Sequence, residues 1–570
     1  MKTNFVRLRW FFTMLLFVTT MIMPTMMLAE ESITPTRPKG NGRAKPYQIS
    51  NREELYWFAG LVNGTLENVV RDKSANAILT ANIIVNTGVL DAVNKGKVSE
   101  SDFIEWEPIG KHDDYDDVYT GIFDGQGYTI SGLYFNDTKA SYVGLFGYIG
   151  VDNYGYKGKI SNVGVSDSYF QFDKQGGGVC GLIDYGGELQ NCSNSSTVIG
   201  KNNDSRAGGV CGDNNGTVRD CKNTGSVSGQ NDVGGVCGFS AGTVKSCYNT
   251  GSVHGTGTHV GGVCGSNYIS TTYSGTITNC YYLENTATGG MEGKDVPGKT
   301  EKMSIEPFKS GEMAWLLNGK VLGEQVWGQQ LGIDPSPVPG SAYKVIKAAQ
   351  GDKDANGHYT YWATFSNLKN DVTLSVPSGR NLNVYNATVS GGKMTLTQRS
   401  DDQVAKGEGV LLKTDGEYVN AKANETNDLT KASSDLVATP AKAKTVTADA
   451  GYKLYRLTYN DATNKKGLGF YLSVDKANNS YNGTRLIATP GKAYLKVSEN
   501  EAKDPSSAAL ARSFVFGSGN ETTGIEGITI MGTDVQRHGT IEGIFDLQGR
   551  KIVNPTKGIY IKNNKKVVIK

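Results

Sequence analysis

The sequence predicts an all-β chain: a right-handed β-solenoid (β-helix), followed by a β-sandwich-like domain and a small C-terminal β domain. Three observations carry this expectation. The segment Gly-Gly-Val-Cys-Gly occurs at Gly177 to Gly181, Gly208 to Gly212, Gly234 to Gly238 and Gly261 to Gly265, with starts 31, 26 and 27 residues apart. Glycine makes up 73 of the 570 residues, well above its usual share of roughly 7%. Short apolar runs alternate with clusters of Gly, Asn and Ser, the texture of brief strands joined by tight turns.

Bulk composition limits the function classes. A net charge of +2 with 20% charged residues lacks the basic excess of a nucleic-acid binder. With 29 Tyr and 18 Phe spread along the chain, wholesale disorder is excluded as well. Residues 1–29 read as a signal peptide: Lys2, Arg7 and Arg9 precede an uncharged run from Trp10 to Leu28, and Ala29 precedes Glu30. The rival reading is an uncleaved membrane anchor, which Pro24 and the interspersed Thr residues disfavour. The expectation is an exported chain with no transmembrane span after signal removal. A linker at 30–46 comes next.

Residues 47–285 form the repeat region. After each Gly-Gly-Val-Cys-Gly copy comes a turn and a short run ending in a second cysteine, at Cys192, Cys221, Cys247 and Cys280. Three short strands fit in 26 residues, which makes one coil. Coils stacked at a strand spacing of about 4.8 Å place equivalent residues above one another. The glycines suit corners with positive φ or close backbone approach.

These residues resemble the GLUG motif family, found in surface proteins of Bacteroidetes type and beside the protease of some IgA peptidases. The lead-in Tyr47 to Asn51, Leu61 to Gly64, Trp106 to Gly110 and Gly121 to Ile130 belongs to the same resemblance. Val143 to Gly147 is a degenerate first coil, with Leu145-Phe146 where later coils carry Val-Cys. The resemblance implies a β-solenoid on an exported surface protein.

All eight cysteines sit in the repeat, two per coil, and two readings stand. One is four disulfides within coils, Cys180–Cys192, Cys211–Cys221, Cys237–Cys247 and Cys264–Cys280. The other is buried ladders of free thiols, cysteine packing as a small hydrophobe. A zinc site is not expected, since no CxxC occurs.

Residues 286–345 are expected to be a solenoid cap and linker, with one short helix over Gly311 to Gly319 and Trp and Leu residues covering the last coil. Period-two runs such as Tyr361 to Phe365 and Gly409 to Lys413 place the β-sandwich-like domain at 346–518. Residues 519–570 read as a linker and a C-terminal β domain. There Asp546, Gly549, Arg550, Gly558 and Tyr560 resemble the core of the sorting domain read by the type IX secretion machinery, which would be a partner. The alternative is a β domain without sorting activity.

No catalytic or cofactor-binding residue is expected. Gly238 to Gly242 spells GxSxG, yet no α/β sheet surrounds it, and Gly176 to Gly181 spells GxGxxG with no helix after it. None of the five histidines lies in an HExxH motif; His254 and His259 read as surface-loop residues. Asp113, Asp114, Asp116 and Asp117 form the best Ca²⁺ candidate, weighed against a solvated connection. The sequence therefore predicts a non-enzymatic cell-surface or secreted binding protein contacting an extracellular glycan or protein. Tyr268, Tyr273, Tyr281 and Tyr282 are candidates for stacking on sugars. A polysaccharide lyase or hydrolase is the alternative.

Overall fold

The computed structural model describes residues 33–96, 103–110, 118–152, 154–269, 275–354, 356–460, 467–474 and 482–503, and short strands between 513 and 569. These fall into two compact units. The first takes residues up to 320 with 326–329 and 334–341; the second takes 321–325, 330–333 and the rest from 342.

The first unit is a β-solenoid of stacked parallel coils. One coil comprises Gln175–Gly177, Cys180–Ile183, Glu188–Gln190 and Ser193–Gly200. These strands contribute to four separate sheets, of four, five, eight and eleven strands. The expected three runs per coil are thus corrected to four faces. The cause is the glycine corner: Gly178 and Val179 interrupt what reads as one run and turn the chain between two strands.

Register is strict. Cys180 pairs with Cys211, Cys211 with Cys237 and Cys237 with Cys264. Phe146 stands in line with Cys180 one coil earlier, so Val143 to Gly147 is a true coil with a larger filler. Of the two roles considered for the repeat glycines, close approach is the one found. A Cβ on Gly208 would lie 1.8 Å from the Cys211 carbonyl oxygen, and one on Gly209 would lie 2.2 Å from the Gly235 oxygen. The positive-φ positions belong to other residues. Asn162, Asn191, Asp220, Ser246 and Asn279 all have φ between 52 and 57°, a conformation that short polar side chains tolerate best. They stack as well: Asn191 donates to Asn162 at 2.9 Å and Asn279 to Ser246 at 3.0 Å.

A second polar column is buried. Asn194 donates to Asn223, and Asn223 to Asn249, each at 2.8 Å. Asn223 also accepts from the Gly225 N–H and donates to its carbonyl, so its amide closes the local turn and joins the coils. The column ends at both sides with a different residue: Asn194 pairs with Val165, and Asn249 with Tyr282. The Tyr282 hydroxyl donates to Asp295 at 2.8 Å.

At the start of the solenoid lies a helix, Arg52–Asn63, where the sequence pattern was read only as a lead-in to the coils. Asn51 caps it by accepting from the Glu54 N–H, and Glu54 reaches back to the Ser50 N–H at 2.7 Å. This reciprocal pattern is a capping arrangement. Its Phe58 packs beside Phe123 and Tyr119, over the apolar interior of the first coils. At the other end, Thr300–Met303 pairs with Cys280–Leu283 and extends the stack. Two short helices, Ile305–Ser310 and Glu312–Leu317, replace the single helix expected at 311–319. Phe308 and Trp327 pack on Tyr248, in the coil before the last, rather than over the end.

The second unit is antiparallel apart from one parallel pairing, of Lys393–Gln398 with Ile528–Met531. Two sheets, one built on Tyr359–Ser366, Gly409–Thr414 and Leu382–Ser390 and one on Tyr452–Asn460, Gly467–Leu472 and Ala493–Ser498, enclose a common core. Trp362, Tyr385 and Leu411 share it with Tyr455, Phe470 and Leu495. Ile528–Met531 joins the first sheet beside Lys393–Gln398. Strands between 544 and 569 form a separate four-stranded sheet.

The two polar columns give two stability expectations. Asn223→Ala strands the buried amide partners of Asn194, Asn249 and Gly225, and chemical denaturation should show a loss of about 3 kcal/mol. Burial pushes the Asp220 carboxyl up to about 6 against the pull of Arg219. A carboxyl raised in the folded state binds its proton more tightly there, so its ionisation lowers stability as pH rises from about 4 to 6. Asp220→Asn, matching the residue at Asn191, should add about 1 kcal/mol at pH 7.5 and nothing below pH 4. Urea unfolding of both proteins across this range checks the sign.

Candidate functional site: an outward corner of the solenoid

The cysteines are structural. All eight are buried free thiols, so the within-coil disulfides do not form. Cys180, Cys211, Cys237 and Cys264 make one column. Cys192, Cys221, Cys247 and Cys280 make another, in which the Cys192 and Cys221 N–H groups each approach the next coil's sulfur at 3.4 Å. Each cysteine therefore faces its counterpart in the neighbouring coil. Burial lifts the thiols of Cys180, Cys221, Cys237, Cys264 and Cys280 well above the ordinary range, and Cys211 up to about 11. Such thiols are poor nucleophiles and poor metal ligands.

The sequence motifs that mimic catalytic loops are turns. Gly238 to Gly242 links Cys237–Ser240 to Thr243–Lys245, and Gly176 to Gly181 spans two strands. His254 is exposed on its strand, and His259 Nδ1 lies 3.0 Å from Asp232. Among the described residues no cluster of three His, Cys, Asp or Glu could hold a metal. Asp113, Asp114, Asp116 and Asp117 lie outside the described residues, as do Asp546, Gly549 and Arg550; Gly558 and Tyr560 lie on the strand Gly558–Lys562.

What sequence reasoning missed is built at one corner. Two positions beyond the first cysteine, strand pairing aligns Tyr148, Leu182, Asp213, Phe239 and Ser266. Two positions further on come Asp184, Asn215, Ala241 and Tyr268. Their alignment is fixed by backbone bonds: the Asn215, Ala241 and Tyr268 N–H groups donate to the Ile183, Asn214 and Ser240 carbonyls of the preceding coil. Asn215 and Ala241 are small, and Tyr185 and Tyr268 rise on either side. The result is a cleft of about 340 Å³ lined by Tyr185, Arg206, Asn215, Phe239, Ala241 and Tyr268.

Its charges are held in place. The Arg206 guanidinium lies 4.0 Å from the centre of the Phe239 ring and forms an ion pair with Asp213. It also faces Asp232, 3.9 Å away, which accepts from Ser266 at 2.6 Å. Asp213 is 5% exposed, and its Oδ1 is buried without a hydrogen-bond donor. Burial raises the Asp213 carboxyl, Arg206 opposes this, and Asp232 and Asp184 add to the rise. The aromatic surface is open: Tyr185 is 53% exposed and Tyr268 49%. Of the tyrosines singled out from the sequence, Tyr268 lies in the cleft. Tyr281 and Tyr282 are buried, Tyr282 inside the coils among the core residues, and Tyr273 lies outside the described residues.

No family model matches the chain. A stretch of 195 residues, 34% of the chain, is 28% identical to Halomucin of Haloquadratum walsbyi, and the chain spans 2% of that protein's length. A crystal structure from Bacteroides ovatus, provisionally named an immunoglobulin A1 protease, shares 17% identity at a TM-score of 0.37, covering 54% of this chain and 95% of that one. Among the described residues no helix is long and apolar enough to cross a membrane, which bears on helices alone.

Alkylation tests the thiol assignment. Unfolded without reductant, the chain should take up eight equivalents of iodoacetamide, one for each free cysteine; the folded chain should take up none. Any cysteine-linked peptide pair in the non-reduced digest would contradict it.

Proposed function

We propose that the chain is an exported surface protein that binds an extracellular glycan or protein without catalysing a reaction, the solenoid serving as a stiff display element. The observation that carries this is a division of labour along the repeat. The repeated polar residues, Asn194, Asn223, Asn249 and the positive-φ column, are committed to coil-to-coil hydrogen bonds. Departures from the repeat collect instead at the outward corner, where Tyr185, Phe239 and Tyr268 present aromatic surface on a backbone paired on both sides. Extended repeat surfaces suit contact with long ligands. The basic start and apolar run before Glu30 favour export, as does the sorting-like tail, and the shared stretch with Halomucin, a mucin by name, is in keeping with an extracellular chain.

A polysaccharide-cleaving enzyme is the second reading, and one observation favours it. Asp213 is a buried carboxyl with a raised proton affinity beside Asp232, the kind of pair acid catalysis uses. Two measurements decide. Surface biotinylation of intact cells should label the protein, and recovery in the cytosolic fraction alone would refute export. Purified protein should release no reducing ends from a polysaccharide panel; release abolished by Asp213→Asn would establish the enzyme.

A further inference from the structure

The corner cleft narrows the ligand class of the surface-binding reading, on which the assignment rests. We infer that the cleft between Tyr185 and Tyr268 holds an extended stretch of neutral polysaccharide running along the coil stack, with about one sugar ring per coil step.

Length is the first argument. Tyr185 belongs to the coil of Cys180 and Tyr268 to that of Cys264, three coil steps apart. At about 4.8 Å per step this is about 14 Å, with Asn215 and Ala241 leaving the space between. The step is comparable to the advance per residue of an extended polysaccharide, so successive rings meet successive coils. The volume, about 340 Å³, lies in the range of small-ligand sites.

Chemistry is the second. The two tyrosines are about half exposed. The C–H face of a pyranose is apolar and weakly positive, and it matches the negative face of an aromatic ring. Sugar hydroxyls need donors and acceptors around that contact. The Asn215 amide offers both, and the Arg206 guanidinium carries five N–H groups.

Charge decides between neutral and acidic sugars. The Arg206 cation in the cleft is paired with Asp213 and faces Asp232. Neither acid lines the cleft, but both offset the Arg206 charge from behind it, so a sugar carboxylate or sulfate gains no net attraction there and would compete with an ion pair already made. A peptide strand is disfavoured too. The strands beneath Asn215 and Ala241 are paired on both sides, so the face offers no open edge for strand addition.

The test uses the full chain on an array of neutral polysaccharides (β-1,4-glucan, mannan, xylan) and anionic ones (polygalacturonate, sulfated galactan), with affinities for the retained glycan measured by calorimetry. Ala241→Trp fills the cleft floor; Tyr268→Ala removes an exposed wall. Circular dichroism and the thermal midpoint confirm folding of each. The expected result is retention of a neutral glycan, with affinity lowered at least about tenfold in both variants. Preference for anionic glycans, retention of no neutral glycan, or affinity unchanged in a folded Tyr268→Ala protein would overturn the inference. A protein ligand bound equally well by wild type and Ala241→Trp would overturn it too, while leaving the display reading standing.

Discussion

The solenoid depends on how closely one coil can approach the next at the Gly-Gly corner. Gly208 and Gly234 have a carbonyl oxygen where a Cβ would be, and Gly209 and Gly235 face the backbone of the following coil. Any side chain there would push the coils apart and break the adjacent backbone bonds, such as those from Val210 and Cys211 to the Val236 oxygen. The glycines serve contact distance rather than left-handed conformation. The left-handed positions fall elsewhere, on Asn, Asp and Ser, whose side chains then bond along the stack. Conformational duty and spacing duty are thus carried by different residues within one coil.

Once the approach distance is set, the interior is determined by it. Like residues meet like residues, so each column must tolerate its own company. Val210, Val236 and Val263 do this by packing, and the asparagines do it because an amide both donates and accepts. Cysteine satisfies the same requirement as a small side chain that packs as a hydrophobe. A carboxylate does not, and Asp220 shows the cost in its raised proton affinity.

Much of this was legible in the sequence, because a column repeats its residue type at a fixed interval. The cysteine register and the assignment of Phe146 to the cysteine place both came from that regularity. The helix Arg52–Asn63 escaped, although Asn51, Glu54 and the apolar spacing of Leu55, Phe58 and Leu61 carry a capped amphipathic pattern. The division of a coil among four faces escaped because Gly-Gly-Val-Cys-Gly holds no Asn, Asp, Ser or Pro to mark a turn inside it, so the strands on either side of its corner were counted as one run. The cleft escaped for the opposite reason to the columns. It is made where equivalent positions differ, Tyr185 beside Asp184, then Asn215, Ala241 and Tyr268, and difference at one offset means nothing until the offset is known to be a place. Arg206 adds a long reach from another strand, which spacing does not encode.

The ends of the asparagine column bear on how such a protein changes over time. Val165 and Tyr282 flank three asparagines, so the start and finish of the array are written in residues outside the repeating unit. Copying or deleting one coil between them would leave both terminators intact and every internal partner of the same kind. The rod can therefore be lengthened or shortened by simple gene duplication or loss, while a surface feature spanning several coils, such as the cleft, would be the part that a change of copy number rewrites.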